Sequence, residues 1–210
     1  MPSIDTLAQQ IAAAYPPMAS YAKELVETAG RLKFDPAWLA NIIHLESGGN
    51  PQARNRLSNA TGLIQFMPCP TCTAEGLGTT IDALYQMNGK QQMPYVERYF
   101  ENIIKKYGPL DSQEKVIAAV FFPAYINTPL AVMSAAVQAA NPGITTIRDY
   151  TNKLASRARL SVSGIGMPGV GGGATPWLIV GGMLIAGAGA VYVYRPEAYT
   201  REFWQRKFKR

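Results

Sequence analysis

Apolar residues recur at helical spacing through most of the first 158 positions. Ile4, Leu7 and Ile11 fall three and four apart, and Pro16-Pro17 stops that run. Met18, Tyr21, Ala22, Leu25 and Ala29 repeat the pattern up to Gly30. Asp35-Pro36 reads as a helix cap with proline at the first helical position. The helix it opens carries Trp38, Leu39, Ile42, Ile43 and Leu45, and should stop at Gly48-Gly49. Residues 50–79 are rich in turn formers and read as an ordered loop region. Thr80 caps a short helix through Met87. Met93, Val96, Phe100, Ile103, Ile104 and Tyr107 mark a helix over 91–107, closed by Gly108. Asp111 and Glu114 have capping-box spacing and open a helix through Val116, Ile117, Val120 and Phe121, ended by Pro123. Thr128-Pro129 opens another, stopped by Asn141-Pro142-Gly143, and a last helix covers 145–157. No alternating strand pair stands out, so the predicted fold class is all-α.

The pattern changes after Arg159. Thirty-five residues, up to Tyr194, carry no formal charge. Ser161–Thr175 contains six glycines and reads as a flexible linker. Trp177–Tyr194 is 18 apolar or small residues, about 27 Å as a helix and long enough to span a hydrocarbon core of about 30 Å. Trp177 at one end and Tyr192 and Tyr194 at the other suit the membrane interface. The predicted organisation is a helical domain over 1–159, a linker over 160–175, one transmembrane helix over 176–194, and a basic tail over 195–210. Gly182, Ala186 and Ala190 form a small-residue stripe on that helix, at spacing suited to self-association.

The formal charge of +6 would suggest nucleic acid if it were spread over the domain. It is not. Residues 195–210 hold six basic side chains against two acidic ones, a net +4, which leaves +2 for the first 194 residues. The basic tail beside an apolar stretch points to lipid headgroups and membrane topology, and nucleic acid is not an expected partner. Met1–Asp5 lacks a positive leader region, so no signal peptide is expected. Cys69 and Cys72 flank Pro70-Thr71, and the only histidine is His44. A zinc site lacks its other ligands, so two loop thiols or a local disulfide are the readings left, and no metal or cofactor is expected.

Glu46 is the candidate for chemistry. It falls in the last turn of the helix opened by Asp35-Pro36, and Gly62-Leu63-Ile64-Gln65-Phe66-Met67-Pro68 follows after a loop. Cleaving a glycosidic bond requires a proton for the leaving oxygen, and a carboxylic acid supplies it near neutrality when an apolar pocket holds it protonated. A helix C-terminus also disfavours the anion. No second acid stands out; Glu75 and Asp82 are the nearest downstream. A single acid suffices if the substrate supplies its own nucleophile. His44 lies two residues before Glu46, on another face of the helix, and reads as structural. Gln65 reads either as a sugar contact or as a core amide.

These two motifs together, Glu46-Ser47-Gly48-Gly49-Asn50-Pro51 and Gly62–Pro68, resemble the soluble lytic transglycosylases of the lysozyme-like superfamily. The resemblance runs from about Asp35 to Tyr150. It implies a lysozyme-like domain that cleaves the β-1,4 bond between N-acetylmuramic acid and N-acetylglucosamine in peptidoglycan. By that resemblance Glu46 is the acid and then the base, and a 1,6-anhydromuramoyl end forms without water. Ser47 matches a polar residue that lines the cleft. Gly62, Leu63, Ile64 and Gln65 match the segment that contacts sugar near the scissile bond. The family usually carries a Tyr-Asn-Ala-Gly segment; the counterpart here is Phe122-Pro123-Ala124, where Phe122 lacks a hydroxyl and Tyr125 is the neighbouring candidate.

Gly76–Thr80 and Gln91–Phe100 are similar to the version carried by phage virion proteins. With the absent leader, this suggests a single-pass protein of a phage internal membrane that opens the periplasmic cell wall for genome delivery. Its expected partners are glycan strands, the lipid membrane and other virion proteins. The other reading is a membrane-anchored structural or vertex protein whose lysozyme-like domain binds glycan or partners with little turnover.

Overall fold

A computed structural model describes residues 2–160 except 57, 69–72, 134, 136, 137 and 139–141, together with the backbone of 179–180, 183–186 and 189–192. Cys69 and Cys72, the expected linker and the basic tail all lie outside the described residues. In chain order the helices are α1 (Ile4–Ala14), α2 (Ala22–Arg31), α3 (Pro36–Ser47), α4 (Thr73–Gly76), α5 (Ile81–Gln86), α6 (Gly89–Tyr107), α7 (Gln113–Phe121) and α8 (Ile147–Ala155). Short 3₁₀ segments cover Pro16–Tyr21 and Pro123–Tyr125. The domain is mostly helical, and its helix bounds follow local caps closely.

Helix α3 is the central element. Asp35 accepts a hydrogen bond from the Ala37 amide at 2.8 Å, and Pro36 needs no partner for a missing N–H. Leu39, Ala40, Asn41, Ile42, Ile43, Leu45 and Glu46 are all buried, so this helix is enclosed on nearly every side. It packs between α2 and α7, while α2 also meets α6 and α7 meets α8. The core these helices share includes Leu25, Leu39, Ile42, Ile43, Leu63, Phe66, Phe100 and Phe121.

Four expectations change in detail. The helix read from Met18 starts as the 3₁₀ segment, and α2 begins only at Ala22. Ser112, not Asp111, caps α7 through the Lys115 amide, and Asp111 instead pairs with the Lys115 ammonium at 2.9 Å. Thr128-Pro129 forms a turn closed by the Ala131 amide on the Thr128 carbonyl at 2.9 Å, and the described helical residues of the stretch up to Asn141 are 135 and 138. The turn leads into an isolated bridge between Val132 and Thr146, and the Pro129 and Ala131 carbonyls accept the Arg148 and Ile147 amides at 2.8 and 3.1 Å. Those amides belong to the first turn of α8 and have no partner within it, so the carbonyls of this turn supply what the helix start lacks. Finally, the described part of 176–194 is not one helix. It forms strands β1 (Ile179–Val180), β2 (Met183–Ala186) and β3 (Gly189–Tyr192), antiparallel in the order β1-β2-β3. Four glycines at 181, 182, 187 and 189 each cost a helix about 1 kcal/mol relative to alanine, which works against the expected helix outside lipid. Among the described residues no helix is long and apolar enough to cross a membrane.

The domain closes on itself where it ends. The Tyr15 hydroxyl donates to Asn41 Oδ1 and accepts the Arg159 amide at 2.7 Å. Asn41 Nδ2 donates to the Leu160 carbonyl at 3.0 Å. The His44 ring stacks on Tyr15 with centroids 4.5 Å apart. Burial first, and the Arg159 charge second, hold His44 below the ordinary imidazole value. Between that folded value and about 6.5, the unfolded chain binds a proton that the folded chain does not. The stabilisation is therefore complete above about pH 6.5 and is lost as the pH falls through the folded value. Thermal scans from pH 7 to 5 should show Tm dropping more steeply for the wild type than for His44→Phe. Parallel curves would remove His44 as the cause.

Candidate active site

The site is built where α3 stops. Gly48 takes a left-handed conformation at φ 64°, and its amide bonds the His44 carbonyl at 2.9 Å, so Glu46 and Ser47 lie in the final helical turn. Gly49 follows at φ 83° and presses against Met18: a Cβ there would come within 2.8 Å of the Met18 side chain. The buried Tyr21 hydroxyl donates to the Gly49 carbonyl at 2.8 Å. The chain leaving Glu46 is thus fixed from below, and the Glu46 side chain stays 5% exposed.

The second motif folds into a closed turn. Thr61 and Phe66 exchange backbone hydrogen bonds at 3.0 and 2.8 Å. Gly62 stands at φ 86°, and Gln65 adopts φ 52°, which few residues with a side chain tolerate. Gln65 is held there by its own amide, which donates to the Gly62 and Ala53 carbonyls at 3.1 and 3.2 Å. Leu63, Ile64 and Gln65 are all buried, with Leu63 and Ile64 in the core.

Ser47 joins the two motifs. Its hydroxyl lies 3.0 Å from the carbonyls of both Ile43 and Leu63 and can donate to either. The residue next to the carboxylate therefore fixes the distance between helix end and turn. Gln92, on α6, completes the arrangement. It is fully buried, and its Oε1 accepts the Leu63 amide at 2.9 Å. A Cβ on Gly62 would approach that oxygen to 2.5 Å, so the need for glycine at position 62 comes from the Gln92 side chain.

Tyr150 is the residue that sequence reasoning missed. It sits on α8, 2% exposed, and its phenol is pushed up first by burial and then by the Glu46 carboxylate, against a small opposing effect of Arg157. The Tyr150 phenol on α8 thus lies within the electrostatic reach of the Glu46 carboxylate. Phe122 is buried and packs edge-on to Tyr150 at 5.1 Å, with Phe121 at 5.9 Å on the same ring. Phe122 thus supports the ring that carries the hydroxyl. Tyr125 ends the 3₁₀ turn, half-buried against the core. The apolar periodicity of α8 marks Tyr150 as a core position beside Ile147, Thr151 and Leu154, but nothing local marks its hydroxyl. His44 faces Tyr15 and Arg159, away from this cluster. Among the described residues Glu46 is the only acidic side chain in the buried set, and no group of His, Cys, Asp or Glu could hold a metal ion.

The family of the chain comes from comparison with known proteins. The Transglycosylase SLT domain matches residues 25–153, and the chain belongs to that family. It is also similar to the membrane-bound lytic murein transglycosylase E of Buchnera aphidicola subsp. Acyrthosiphon pisum (strain APS), 26% identical over 142 residues. That match covers 61% of this chain and 59% of the relative, so the chain spans about three-fifths of the relative's length. No solved structure matches.

The Ser47–Leu63 contact has a measurable consequence. Ser47→Ala deletes the donor and leaves a carbonyl beneath the turn unmatched, which should cost about 1 kcal/mol or somewhat more. Urea titration should show a lower midpoint with an unchanged slope. A midpoint equal to the wild type would mean that the turn does not depend on Ser47.

Proposed function

We propose that this protein is a peptidoglycan lytic transglycosylase acting through a single carboxyl group. The observation that carries the reading is Glu46: buried, at a helix end, joined through Ser47 to the Gly62–Gln65 turn, and beside the Tyr150 ring. Burial and the helix C-terminus both favour the neutral acid, the form that can give up a proton to a leaving group. In the proposed reaction Glu46 protonates the oxygen between N-acetylmuramic acid and N-acetylglucosamine, and the bond from that oxygen to muramoyl C1 breaks. The muramoyl 6-hydroxyl then attacks C1 as Glu46 takes its proton. The products are a 1,6-anhydromuramoyl end and a free N-acetylglucosamine 4-hydroxyl, and Glu46 returns to its starting state. Intramolecular attack needs neither water nor a second carboxylate, which suits a site with one buried acid.

Ser47 acts here as a brace between the carboxylate helix and the turn. The main chain of Gly62, Leu63, Ile64 and Gln65 is assigned to glycan contact near the scissile bond. Tyr150 orients Glu46, with Phe122 behind it, and Tyr125 is assigned to the cleft beyond Phe122. Glu46→Gln removes the transferable proton while keeping the shape. Muropeptide release from purified sacculi should fall by about 100-fold or more with the circular dichroism unchanged. Mass spectrometry of wild-type digests should find anhydromuropeptides. Undiminished release by Glu46→Gln would falsify the acid assignment, and reducing-end products would make the enzyme a hydrolase.

The setting we propose is local wall opening during phage infection, with the domain over 1–159 tethered through residues 160–175. Residues 176–194 form the anchor and the basic tail lies against lipid headgroups. Three short strands with open edges cannot satisfy their backbone in hydrocarbon, so the anchor would be helical only once inserted. The full chain should float with anionic vesicles and resist alkaline extraction, while a chain ending at Leu160 should remain in the soluble fraction. Equal flotation of both would exclude the C-terminal segment as the anchor.

A further inference from the structure

Leu63 is gripped on both sides of its residue, and only one grip comes from the helix that carries the acid. Its carbonyl faces Ser47 Oγ at 3.0 Å, from α3. Its amide donates to Gln92 Oε1 at 2.9 Å, from the first turn of α6. The other end of the Gln92 side chain is equally committed. Nε2 donates to the Pro51 carbonyl at 2.7 Å and the Leu84 carbonyl at 2.8 Å, with the Met87 carbonyl at 3.4 Å. One buried amide of α6 thus ties the loop that leaves Glu46, the turn that follows it, and the end of α5. Its orientation is dictated by its partners, since Leu63 offers a donor and the other three offer only acceptors. Glycine at position 62 leaves the space this amide occupies.

We propose that Gln92 is a positioning residue for the transglycosylase site, setting the height of the Gly62–Gln65 main chain relative to Glu46. This rests on the reading of that turn as the glycan-contacting segment. The Ile64 amide and the Ile64 and Gln65 carbonyls take no partner among the described residues, whereas the Gly62 and Leu63 polar groups are all engaged. In this proposal the groups without a described partner are the ones assigned to the sugar, and the engaged ones hold them in place. If Gln92 lets go, Glu46 stays fixed on α3, but the turn loses its reference to the acid. The loss therefore falls on substrate binding more than on turnover.

The test compares four full-length proteins on soluble uncrosslinked peptidoglycan strands: wild type, Glu46→Gln, Gln92→Leu and Gln92→Glu. Gln92→Leu removes every bond. Gln92→Glu keeps an acceptor for the Leu63 amide but sets an oxygen against the Pro51 and Leu84 carbonyls. We expect Gln92→Leu to raise KM by 10-fold or more with kcat within about 3-fold. Gln92→Glu should recover most of the KM while its Tm falls at least as far as that of Gln92→Leu. Activity that merely tracks Tm across the two variants, or a folded Gln92→Leu with wild-type KM, overturns the positioning role. A wild type that releases nothing, or a Glu46→Gln as active as the wild type, overturns the underlying reading and this proposal with it. A dead Glu46→Gln beside an unaffected Gln92→Leu overturns this proposal alone. If neither Gln92 variant folds, hydrogen exchange on the wild type decides. A Leu63 amide exchanging at exposed-loop rates overturns the clamp, and strong protection supports it.

Discussion

A carboxyl group held out of water at the end of a helix is the constraint around which this domain is organised. Removing Glu46 from solvent is unfavourable unless its surroundings are rigid and polar groups nearby are matched. The fold meets that demand by enclosing α3 on nearly all sides and stopping it with two glycines in left-handed conformations. Met18 and Tyr21 then hold the departing chain, Ser47 fastens the helix end to the next motif, and the Tyr150 phenol feels the charge of the carboxylate. Each support comes from a different element, so the site is as rigid as the core that surrounds it.

That arrangement explains how one acid can be enough. A site with two carboxylates distributes proton donation and nucleophilic attack between them. Here the buried set holds a single acidic side chain among the described residues. The chemistry assigned to it uses the substrate's own hydroxyl, so the protein's task reduces to holding one proton and placing one sugar. The first task belongs to α3 and Tyr150. The second is the part proposed for the turn at Gly62–Gln65, which is held by two unlike braces, a hydroxyl from α3 and an amide from α6.

The sequence reading went furthest where structure is dictated locally. The cap at Asp35, the proline after it and the stop at Gly48 defined α3 within a residue. Thr80 likewise caps α5, as read. It went wrong where a distant partner reverses a local preference. Thr128-Pro129 has a plausible helix start, yet it forms a turn whose Pro129 and Ala131 carbonyls serve the unpartnered amides of α8. Asp111 has the right spacing for a cap, but Lys115 takes its carboxylate and Ser112 does the capping. In residues 176–194 apolar composition was read as one helix, while its glycines permit the strands that the described residues form.

What the chain determined by itself is the placement of Glu46 in the last turn before a glycine stop, because helix caps and left-handed glycines act over three or four residues. Linear spacing also announced that a glycine-opened turn would follow. Only the tertiary structure decided what surrounds the acid. Tyr150 reaches it from 104 positions away, Phe122 serves as the wall behind that ring, and Gln92 holds a turn 29 residues upstream. Periodicity shows that such side chains are buried. It does not show which buried groups meet, because that depends on how several helices cross, and no stretch of chain shorter than the whole domain specifies the crossing.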